Sequence, residues 1–375
     1  MENLNSVCFV SLIDEIKPIQ GADKIELCVV KGWECIIPVN TYKVGDIVIC
    51  ATTDAVIPLE LSESLNVTRY LRSNSRVKTV KLRGVYSECL IIPLSFAQSK
   101  TKKKLGVGSD VMDILGVYKY EPPVVVVTTP NGRKIKYTLN ENFKVYYKFP
   151  NIKNYPDIFN ENDFVQITRK IHGTNARYGI VKKVKLSIFD KIKKFFGFAD
   201  KWIDYEFVYG SHMVQKQSEL TGYYNDDVWK LVLDKYNIKK KLWDFVKLND
   251  SDIGSGIILY GEIYGPKIQK NYDYGLNELR FGGFDISVND VYCETIQTYL
   301  TFIALDLPHV PILYSGYWSK EKQDMYVYNQ YIEGTNIPHE GIVIKERSGD
   351  RKKVAKVINP DYLIYSELNN VGDSH

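Results

Sequence analysis

Ile167-Thr-Arg-Lys-Ile-His-Gly-Thr-Asn175 closes an apolar run (Phe164, Val165, Ile167) with a lysine, and two residues after that lysine a polar side chain is followed by glycine. The order puts Lys170 at the rigid end of a strand, where a deprotonated amine can attack the α-phosphate of a nucleotide. Gly173 lets the backbone turn close beside the phosphates. Taken alone, Lys-x-His-Gly more commonly marks a surface lysine before a turn. The ordered series of motifs downstream changes that balance.

Tyr209-Gly-Ser-His212 ends an aromatic strand that begins at Tyr205. GIILYGEIYG (256–265) sets Glu262 in a strand beside glycines, and Lys267-Ile-Gln269 and Tyr272-Asp-Tyr-Gly275 follow. RFGGFDI (280–286) places Phe284 before Asp285, EGIVIK (340–345) runs acid, glycine, three apolar residues, lysine, and KKVAKVIN (352–359) ends the series. Each suits a task in nucleotide chemistry. A carboxylate can accept hydrogen bonds from ribose hydroxyls or hold Mg²⁺, an aromatic face can stack on a base, and lysines can neutralise a triphosphate. Each also has a plainer use: strand-end acids are often solvated, Phe284 is more often core, and EGIVIK fits any half-buried strand. Five such elements in the correct order are not a chance assembly.

At 375 residues the chain has room for two domains, each with a sizeable core. With 45% hydrophobic and 25% charged residues it is globular material and not a disordered chain. The net charge of +4 permits a polyanionic partner, and local lysine clusters bear on that more than the total. The 28 tyrosines offer faces for base stacking, although strands and core account for most of such a surplus. Cys8, Cys28, Cys35, Cys50, Cys89 and Cys293 fall singly in apolar runs with no Cys-x-x-Cys spacing, and so read as reduced core residues, not a zinc site or disulfide frame. The N-terminal MENLNSVCFVSLIDEI lacks a basic region followed by a long apolar stretch, and no run reaches the length of a membrane span. The expectation is a soluble intracellular protein, cytoplasmic or otherwise, not secreted and without a membrane partner.

Up to about residue 100 the chain breaks into short apolar runs separated by Gly, Pro, Asn and Asp: Ser6–Leu12, Ile25–Val30, Glu34–Val39, Asp46–Thr52, Val77–Leu82 and Cys89–Pro93. These predict a small all-β barrel or sandwich, with turns at Ile16–Ile25 and Val44-Gly-Asp46. Lys78, Lys81 and Arg83 are expected on one face of it, solvated by default. Residues 101–123 open with three lysines, hold one short helical pattern and end in Pro122-Pro123, which closes the first domain. Val124–Asn154 reads as a strand pair or ordered linker around the turn Pro130-Asn-Gly132. Further on, Leu186–Phe198 places Ile188, Ile192, Phe195 and Phe196 on one helical face with Lys191, Lys193 and Lys194 opposite. This short basic amphipathic helix, inserted between strands, is expected to pack on the domain in preference to lying on a membrane surface. Val228–Val246 continues with helical spacing and a basic stretch, Lys239-Lys-Lys241.

The series resembles motifs I, Ia, III, IIIa, IV and V of the covalent nucleotidyltransferase superfamily of ATP-dependent ligases and mRNA capping enzymes. KIHGTN, GEIYG with the following IQK and YDYG, FDI, EGIVIK and AKVIN look most like RNA ligases. ADKIE, GWECIIP, VGDIV, VKLRGVYSECLIIPL and KYEPP carry a likeness to the fifth RNA ligase family, in which an OB domain precedes the ligase domain, so the resemblance spans nearly the whole chain. It implies an α+β protein: an N-terminal OB-like β-barrel (1–123, linker included), then a nucleotidyltransferase (ATP-grasp-like ligase) domain of antiparallel sheets with flanking helices (124–375).

The activity implied is ATP-dependent sealing of RNA 3′-hydroxyl and 5′-phosphate ends in RNA repair, with ATP and Mg²⁺ or Mn²⁺ as cofactors. The implied partners are RNA ends, single-stranded or in nicked duplex, and no obligate protein partner is indicated. By the matching positions Lys170 is the nucleophile that takes AMP, and Lys345 and Lys356 contact the α-phosphate. His172, Gly173 and Asn175 line the nucleotide pocket, Glu262 contacts the ribose, and Phe284 stacks on adenine. Glu340 helps hold the metal, with Glu262 as a second candidate ligand. Three positions depart from the pattern: Arg169 stands where many RNA ligases have Glu, His212 where Arg contacts the RNA end, and Val354-Ala-Lys356 where Lys-x-Lys is common, which leaves Lys353 as a substitute to be tested. Two rival readings fit less well. DNA ligases and capping guanylyltransferases carry their OB domain after motif V, where fewer than about 20 residues remain here. A non-catalytic OB-fold RNA-binding protein has no need of an intact Lys170, Glu262 and Glu340 set.

Overall fold

The computed structural model describes residues 6–72, 74–120, 140–198, 200–212, 215–216, 227–249 and 252–371. The N-terminal part holds β1 (Cys8–Leu12), β2 (Glu15–Pro18), β3 (Ile25–Val30), β4 (Trp33–Pro38), β5 (Ile47–Thr52), β6 (Ala55–Val56), α1 (Leu59–Ser64), β7 (Val80–Leu82), β8 (Val85–Ser87), β9 (Cys89–Pro93), α2 (Ser95–Gln98), α3 (Met112–Leu115) and β10 (Tyr118–Lys119). Its strands pair as two three-stranded antiparallel sheets, β1-β5-β9 and β2-β3-β4, with a short hairpin, β7-β8, and a short antiparallel pair, β6-β10. Period-two alternation explains the packing. Along β1, β5 and β9, Cys8, Val10, Ile49, Ala51 and Ile92 point into one core while Phe9, Val48, Cys50, Cys89 and Ile91 point into the other, against Cys28, Trp33 and Cys35. All six cysteines are free thiols, and every one except half-buried Cys293 is buried.

Two expectations change here. Ile16–Ile25 is not a turn throughout: Glu15–Pro18 pairs with β3, Ile16 opposite Cys28, and the turn is confined to Ile19–Gly21, where Gly21 has φ +71°. Lys78 and Lys81 do not lie on a free solvated face; they approach Glu367 at 3.8 Å and Asp361 at 3.5 Å on the C-terminal helix.

The remainder contains β11 (Phe164–Lys170), β12 (Thr174–Lys182), α4 (Ile188–Phe195), β13 (Tyr205–Gly210), β14 (Gln215–Lys216), α5 (Val228–Lys235), α6 (Ile238–Leu248), β15 (Gly256–Tyr264), β16 (Arg280–Val288), β17 (Val291–Tyr292), α7 (Thr295–Ala304), β18 (Ile312–Tyr317), α8 (Lys320–Val327), β19 (Gly341–Glu346), β20 (Val354–Ile358) and α9 (Pro360–Leu368). Two antiparallel sheets result, β14-β13-β12-β15-β16-β17 and β18-β11-β19-β20. The larger is buried on both faces. Ala176, Tyr178, Ile180, Leu259 and Ile263 pack against α5, α6 and α7, while Val181, Ile258 and Tyr260 meet Phe143 and Tyr146 on the other side. In the smaller sheet Val165, Ile167, Ile342, Ile344, Ala355 and Val357 share one core with Val327 of α8.

Of the strand pair or ordered linker expected over Val124–Asn154, only residues 140–154 are described, and these form an ordered linker. They form no strand, and Arg177 Nη1 fastens them to the large sheet by donating to the Phe143 and Lys144 carbonyls at 2.8 and 2.9 Å. Pro122-Pro123 and Pro130-Asn-Gly132 lie outside the described residues. The helical pattern at Val228–Val246 is two helices, separated at Asn237 with φ +52°. Helix α4 is the insertion expected between β12 and β13, but it does not pack on the domain, and none of its residues is buried. Its polar side is tied down by Lys183 to Asp190 and Lys194 to Asp204, which leaves the apolar side outward. Among the described residues no helix is long and apolar enough to cross a membrane.

The two parts meet through specific bonds. Gly32 N–H donates to the Lys153 carbonyl at 2.9 Å, Trp33 Nε1 to Asn154 Oδ1 at 2.8 Å, and Tyr86 OH to Asp361 Oδ1 at 2.7 Å. Lys153 is also ion-paired with Glu88, whose side chain is only 2% exposed. Removing one partner of a buried pair leaves the other charge desolvated and alone. Lys153→Met is therefore expected to lower the stability of the full chain by roughly 3 kcal/mol in urea unfolding, whereas replacing both partners by apolar residues costs less. Equal midpoints for wild type and Lys153→Met would show that Glu88 is not held by this pair.

Candidate active site

Strand register assembles the site. In β11 and β19, Gln166 lies opposite Lys345, Thr168 opposite Val343 and Lys170 opposite Gly341; on the next strand Lys356 lies opposite Val343. Directly paired residues share a face, so Lys170, Lys345 and Lys356 stand together on the side of the small sheet away from its core. That side is turned toward the large sheet. Because Glu340 immediately precedes β19, the Lys170–Gly341 pairing brings its carboxylate against the lysine, and Lys170 Nζ donates to Glu340 Oε1. Lys356 makes no side-chain hydrogen bond or ion pair among the described residues. Burial, with Lys170 next, lowers its amine from the usual range, against the pull of Asp54 and Glu340.

The turn after Lys170 is held by groups from the Lys267–Gly275 segment. His172 N–H donates to Tyr274 OH at 2.6 Å, Gln269 Nε2 donates to the Gly173 carbonyl at 2.6 Å, and the His172 ring sits edge-on to Tyr272, centroids 5.2 Å apart. Glycine is required at 173 by space: a Cβ there would lie 2.2 Å from the Ile263 carbonyl oxygen. Asn175 pairs directly with Glu262 across β12 and β15. Both Asn175 Oδ1 and Glu340 Oε2 are buried acceptors with no hydrogen bond among the described residues, His172 Nδ1 standing 3.9 Å from the latter. Unsatisfied buried oxygens are costly, and they suit a ligand that supplies hydroxyls or a cation.

Glu262 faces Lys170 and Glu340. Burial pushes its carboxyl up to about 8, with Glu340 adding to the shift and Lys170 and the Gly173 N–H opposing it. At neutral pH it is thus largely protonated and can donate as well as accept a hydrogen bond. In the unfolded chain a glutamate ionises near ~4.3, so between there and about pH 8 the folded protein binds more protons and loses stability as pH rises. Glu262→Gln cannot ionise. Its urea-unfolding free energy is expected to fall less than that of the wild type between about pH 5 and pH 8; parallel pH dependences would mean that Glu262 ionises normally.

Phe284 owes its place to a bulge. Tyr260 pairs with Asp285 and Gly261 with Gly283, so Phe284 is the extra residue of β16 and the strand is re-aimed there. Gly283 is needed beside it, since a Cβ would lie 2.1 Å from the Phe302 ring. The half-buried Phe284 ring lies 5.4 Å from Lys345 Nζ, and that amine donates to the Phe284 carbonyl at 2.8 Å and to Asp285 Oδ2 at 2.9 Å. Asp285 is fully buried; it also accepts from Arg351 Nη2 at 2.6 Å and from Tyr146 OH at 2.8 Å. Burial alone would raise the Asp285 carboxyl, but Lys345 and Arg351 outweigh it and hold it below the usual carboxylate range. Burial lowers the Lys345 amine, with Asp285 opposing.

The three departures from the motif pattern resolve differently. Lys353 does not stand in for a second lysine on this face, because its Nζ is bound to both Asp163 oxygens at 2.6 and 2.7 Å. Arg169 points to the opposite side, donating to the Tyr326 carbonyl at 3.2 Å and to Gln330 at 3.3 Å. His212 lies two residues past β13, and burial, then Arg177 and Lys148, lowers its imidazole below the usual value. Sequence reasoning gave no part to Arg351, Tyr146, Gln269 and Tyr274. The last two fell within quoted motifs, whereas Arg351 sits in the turn Ser348-Gly-Asp-Arg351 and carried no signal. Among the described residues no group of three or more His, Cys, Asp or Glu side chains could hold a metal by itself.

Comparison with known proteins follows the same division of the chain. Residues 163–358 match the RNA ligase family model and residues 7–94 an OB-fold domain model. No curated protein matches. A Naegleria gruberi RNA ligase variant in apo form superposes with TM-score 0.71 at 21% identity, covering 97% of this chain and 99% of that one. A second variant of the same protein with ATP and manganese gives 0.71 at 21%, covering 96% and 99%. The form with pyrophosphate gives 0.68 at 21%, again over 96% and 99%. At that identity the likeness shows a shared fold: an OB domain followed by a nucleotidyltransferase-like domain of antiparallel sheets.

Proposed function

The chain belongs to the RNA ligase family, and from that membership we propose that it joins RNA 3′-hydroxyl and 5′-phosphate ends, in RNA repair, by way of a lysyl–AMP intermediate. The observation that carries the reading is the constellation between the two sheets: Lys170 bound to Glu340, with Glu262, Asn175 and Lys356 around it. ATP is the nucleotide, in keeping with the ATP-bound form of the Naegleria protein.

The reaction runs in three displacements at phosphorus. Lys170 Nζ forms a bond to the α-phosphorus as the bond to the β-phosphate oxygen breaks and pyrophosphate leaves. The amine's lone pair must be free for this, so the Lys170 ammonium leaves its contact with Glu340 and gives up a proton to solvent before it attacks. AMP then passes from Lys170 to the oxygen of an RNA 5′-phosphate, and a 3′-hydroxyl attacks that phosphate and releases AMP. Lys356 and Lys345 hold the α-phosphate, where fixed cations favour the charge that builds in the transition state. Glu262 and Asn175 hold the ribose, Phe284 stacks on adenine, and His172 and Gly173 close the pocket behind them. His212, at the end of the sheet beyond β13, contacts the RNA end.

A divalent cation fits this site. Magnesium and manganese are commonly held by one or two carboxylates with substrate phosphates and water, so Glu340, with its unbonded Oε2, suffices without a full protein cage, and Glu262 is the second candidate. When bound, the ion supplies charge neutralisation at the phosphates. Residues 1–123 act as the RNA-binding OB domain and 124–375 as the catalytic domain.

The test is incubation with labelled ATP or GTP, followed by sealing assays on nicked duplexes and single strands with RNA or DNA on each side of the break. Covalent labelling by ATP and sealing of RNA ends are expected. Labelling by GTP would favour a capping guanylyltransferase, DNA-only sealing a DNA ligase, and no labelling at all a non-catalytic OB-fold RNA-binding protein.

A further inference from the structure

Helix α4 is built to stay formed, yet it contributes nothing to any core. At its start Ser187 and Asp190 make a capping box; at its end Gly197, with φ +74°, turns the chain so that Phe198 N–H donates to the Lys193 carbonyl at 2.9 Å and Gly197 N–H to the Lys194 carbonyl at 3.1 Å. The caps and the two ion pairs to Lys183 and Asp204 hold this short helix in place without drawing its apolar side into a core. Its apolar side chains are strongly exposed: Ile188 77%, Phe189 74%, Phe195 85%, Phe196 63% and Phe198 80%. A cluster of this size, left in water on a single capped helix, calls for an occupant.

The arrangement of charge identifies that occupant. At about 100° per residue, Ile188, Phe189, Ile192, Phe195 and Phe196 fill one arc of roughly 120°, with Lys191 just beyond one edge and Lys193 just beyond the other. Asp190 and Lys194 occupy the far side, and they are the members bound to the domain, by Lys183 at 2.8 Å and Asp204 at 2.6 Å. Lys185, Lys191 and Lys193 make no ion pair among the described residues. Over residues 182–201 seven lysines face two aspartates, a local charge of +5. We propose that α4 is an in-plane anchor for an anionic phospholipid surface, its apolar arc entering the acyl boundary while Lys191 and Lys193 reach sideways to lipid phosphates. Lysines on both rims of an apolar arc match this geometry, because their long stems can lie along the interface with the ammonium groups among the headgroups. RNA matches it less well, since Ile188 and Ile192 in the middle of the arc offer no stacking face. The anchor is independent of the ligase chemistry, and it departs from the expectation of a protein without a membrane partner.

The test is flotation of the full chain with vesicles of phosphatidylcholine alone and of phosphatidylcholine mixed with phosphatidylserine. Binding is expected to the mixed vesicles only and to weaken with salt. Phe189→Ala with Phe195→Ala, and separately Lys191→Glu with Lys193→Glu, should each reduce it by about tenfold or more. Both pairs are exposed, so labelling by ATP should be unchanged and serves as the check on folding. No binding to mixed vesicles would overturn the proposal, as would binding that ignores the two phenylalanines. It would also fall if the protein dimerised through this face in sedimentation without vesicles, or if the lysine pair lost RNA binding while still floating.

Discussion

Lys170→Ala is expected to abolish covalent labelling by ATP and sealing of a 5′-phosphate end, while still joining RNA that already carries a 5′-adenylate. The lysine is bonded to phosphorus only in the first intermediate; once AMP is on the RNA, the remaining displacement uses the 3′-hydroxyl and the groups around the phosphate. The substitution should leave the fold alone, since β11 is held to β18 and β19 through its backbone and its core contacts come from Val165 and Ile167. Lys170→Arg should fail equally in the first step, because a guanidinium stays protonated and has no lone pair to offer. Gel labelling with ATP, the mass of the purified protein and a sealing assay on pre-adenylylated RNA read the steps separately. If the alanine variant still forms an adenylate, the nucleophile lies elsewhere, and Lys356, the amine on the same sheet face with no side-chain hydrogen bond or ion pair among the described residues, becomes the first to examine.

How much of this could be read from residues alone depended on whether the signal was local. The strands Ile25–Val30 and Cys89–Pro93 recur with the bounds their apolar runs predict, because a short apolar run rich in strand-forming residues is enough to define them. Glu15–Pro18 escaped notice because a proline and the following turn mask its pairing with β3. The motif places Lys356 in register and leaves Lys353 open; the register of β20, Val343 opposite Lys356, puts Lys356 on the face of Lys170, and Lys353 is claimed by Asp163, 190 residues earlier. Helix α4 was legible as amphipathic, but periodicity says which side chains share a face and nothing about whether a core lies opposite it. The network around Asp285 was least legible. Arg351 approaches from 66 residues away, and a buried arginine in a polar turn has the same local sequence as an exposed one.

That network carries the last prediction. Asp285 is the carboxylate for two cations that are themselves nearly buried, the Lys345 and Arg351 side chains being 4% exposed each. Asp285→Asn keeps the shape and removes the charge, leaving both cations desolvated, and is expected to lower the unfolding free energy by roughly 3–5 kcal/mol. Lys345→Met should cost less stability, since Asp285 keeps its contacts with Arg351 through Nη2 at 2.6 Å and Nε at 3.2 Å, yet on the proposed mechanism it should slow the adenylyl-transfer steps by removing an amine from the α-phosphate. The pair of variants thus separates the support from the chemistry. A pH series adds an independent check. The folded carboxyl lies below its unfolded value, so the stability it contributes is full above the ordinary carboxylate range, near ~3.9, and is lost as pH falls through the folded value. Asp285→Asn should therefore lose less stability than the wild type on acidification. Equal urea midpoints for wild type and Asp285→Asn at neutral pH would show that Lys345 and Arg351 do not depend on this carboxylate, and its place beside the lysine proposed to bind phosphate would be incidental.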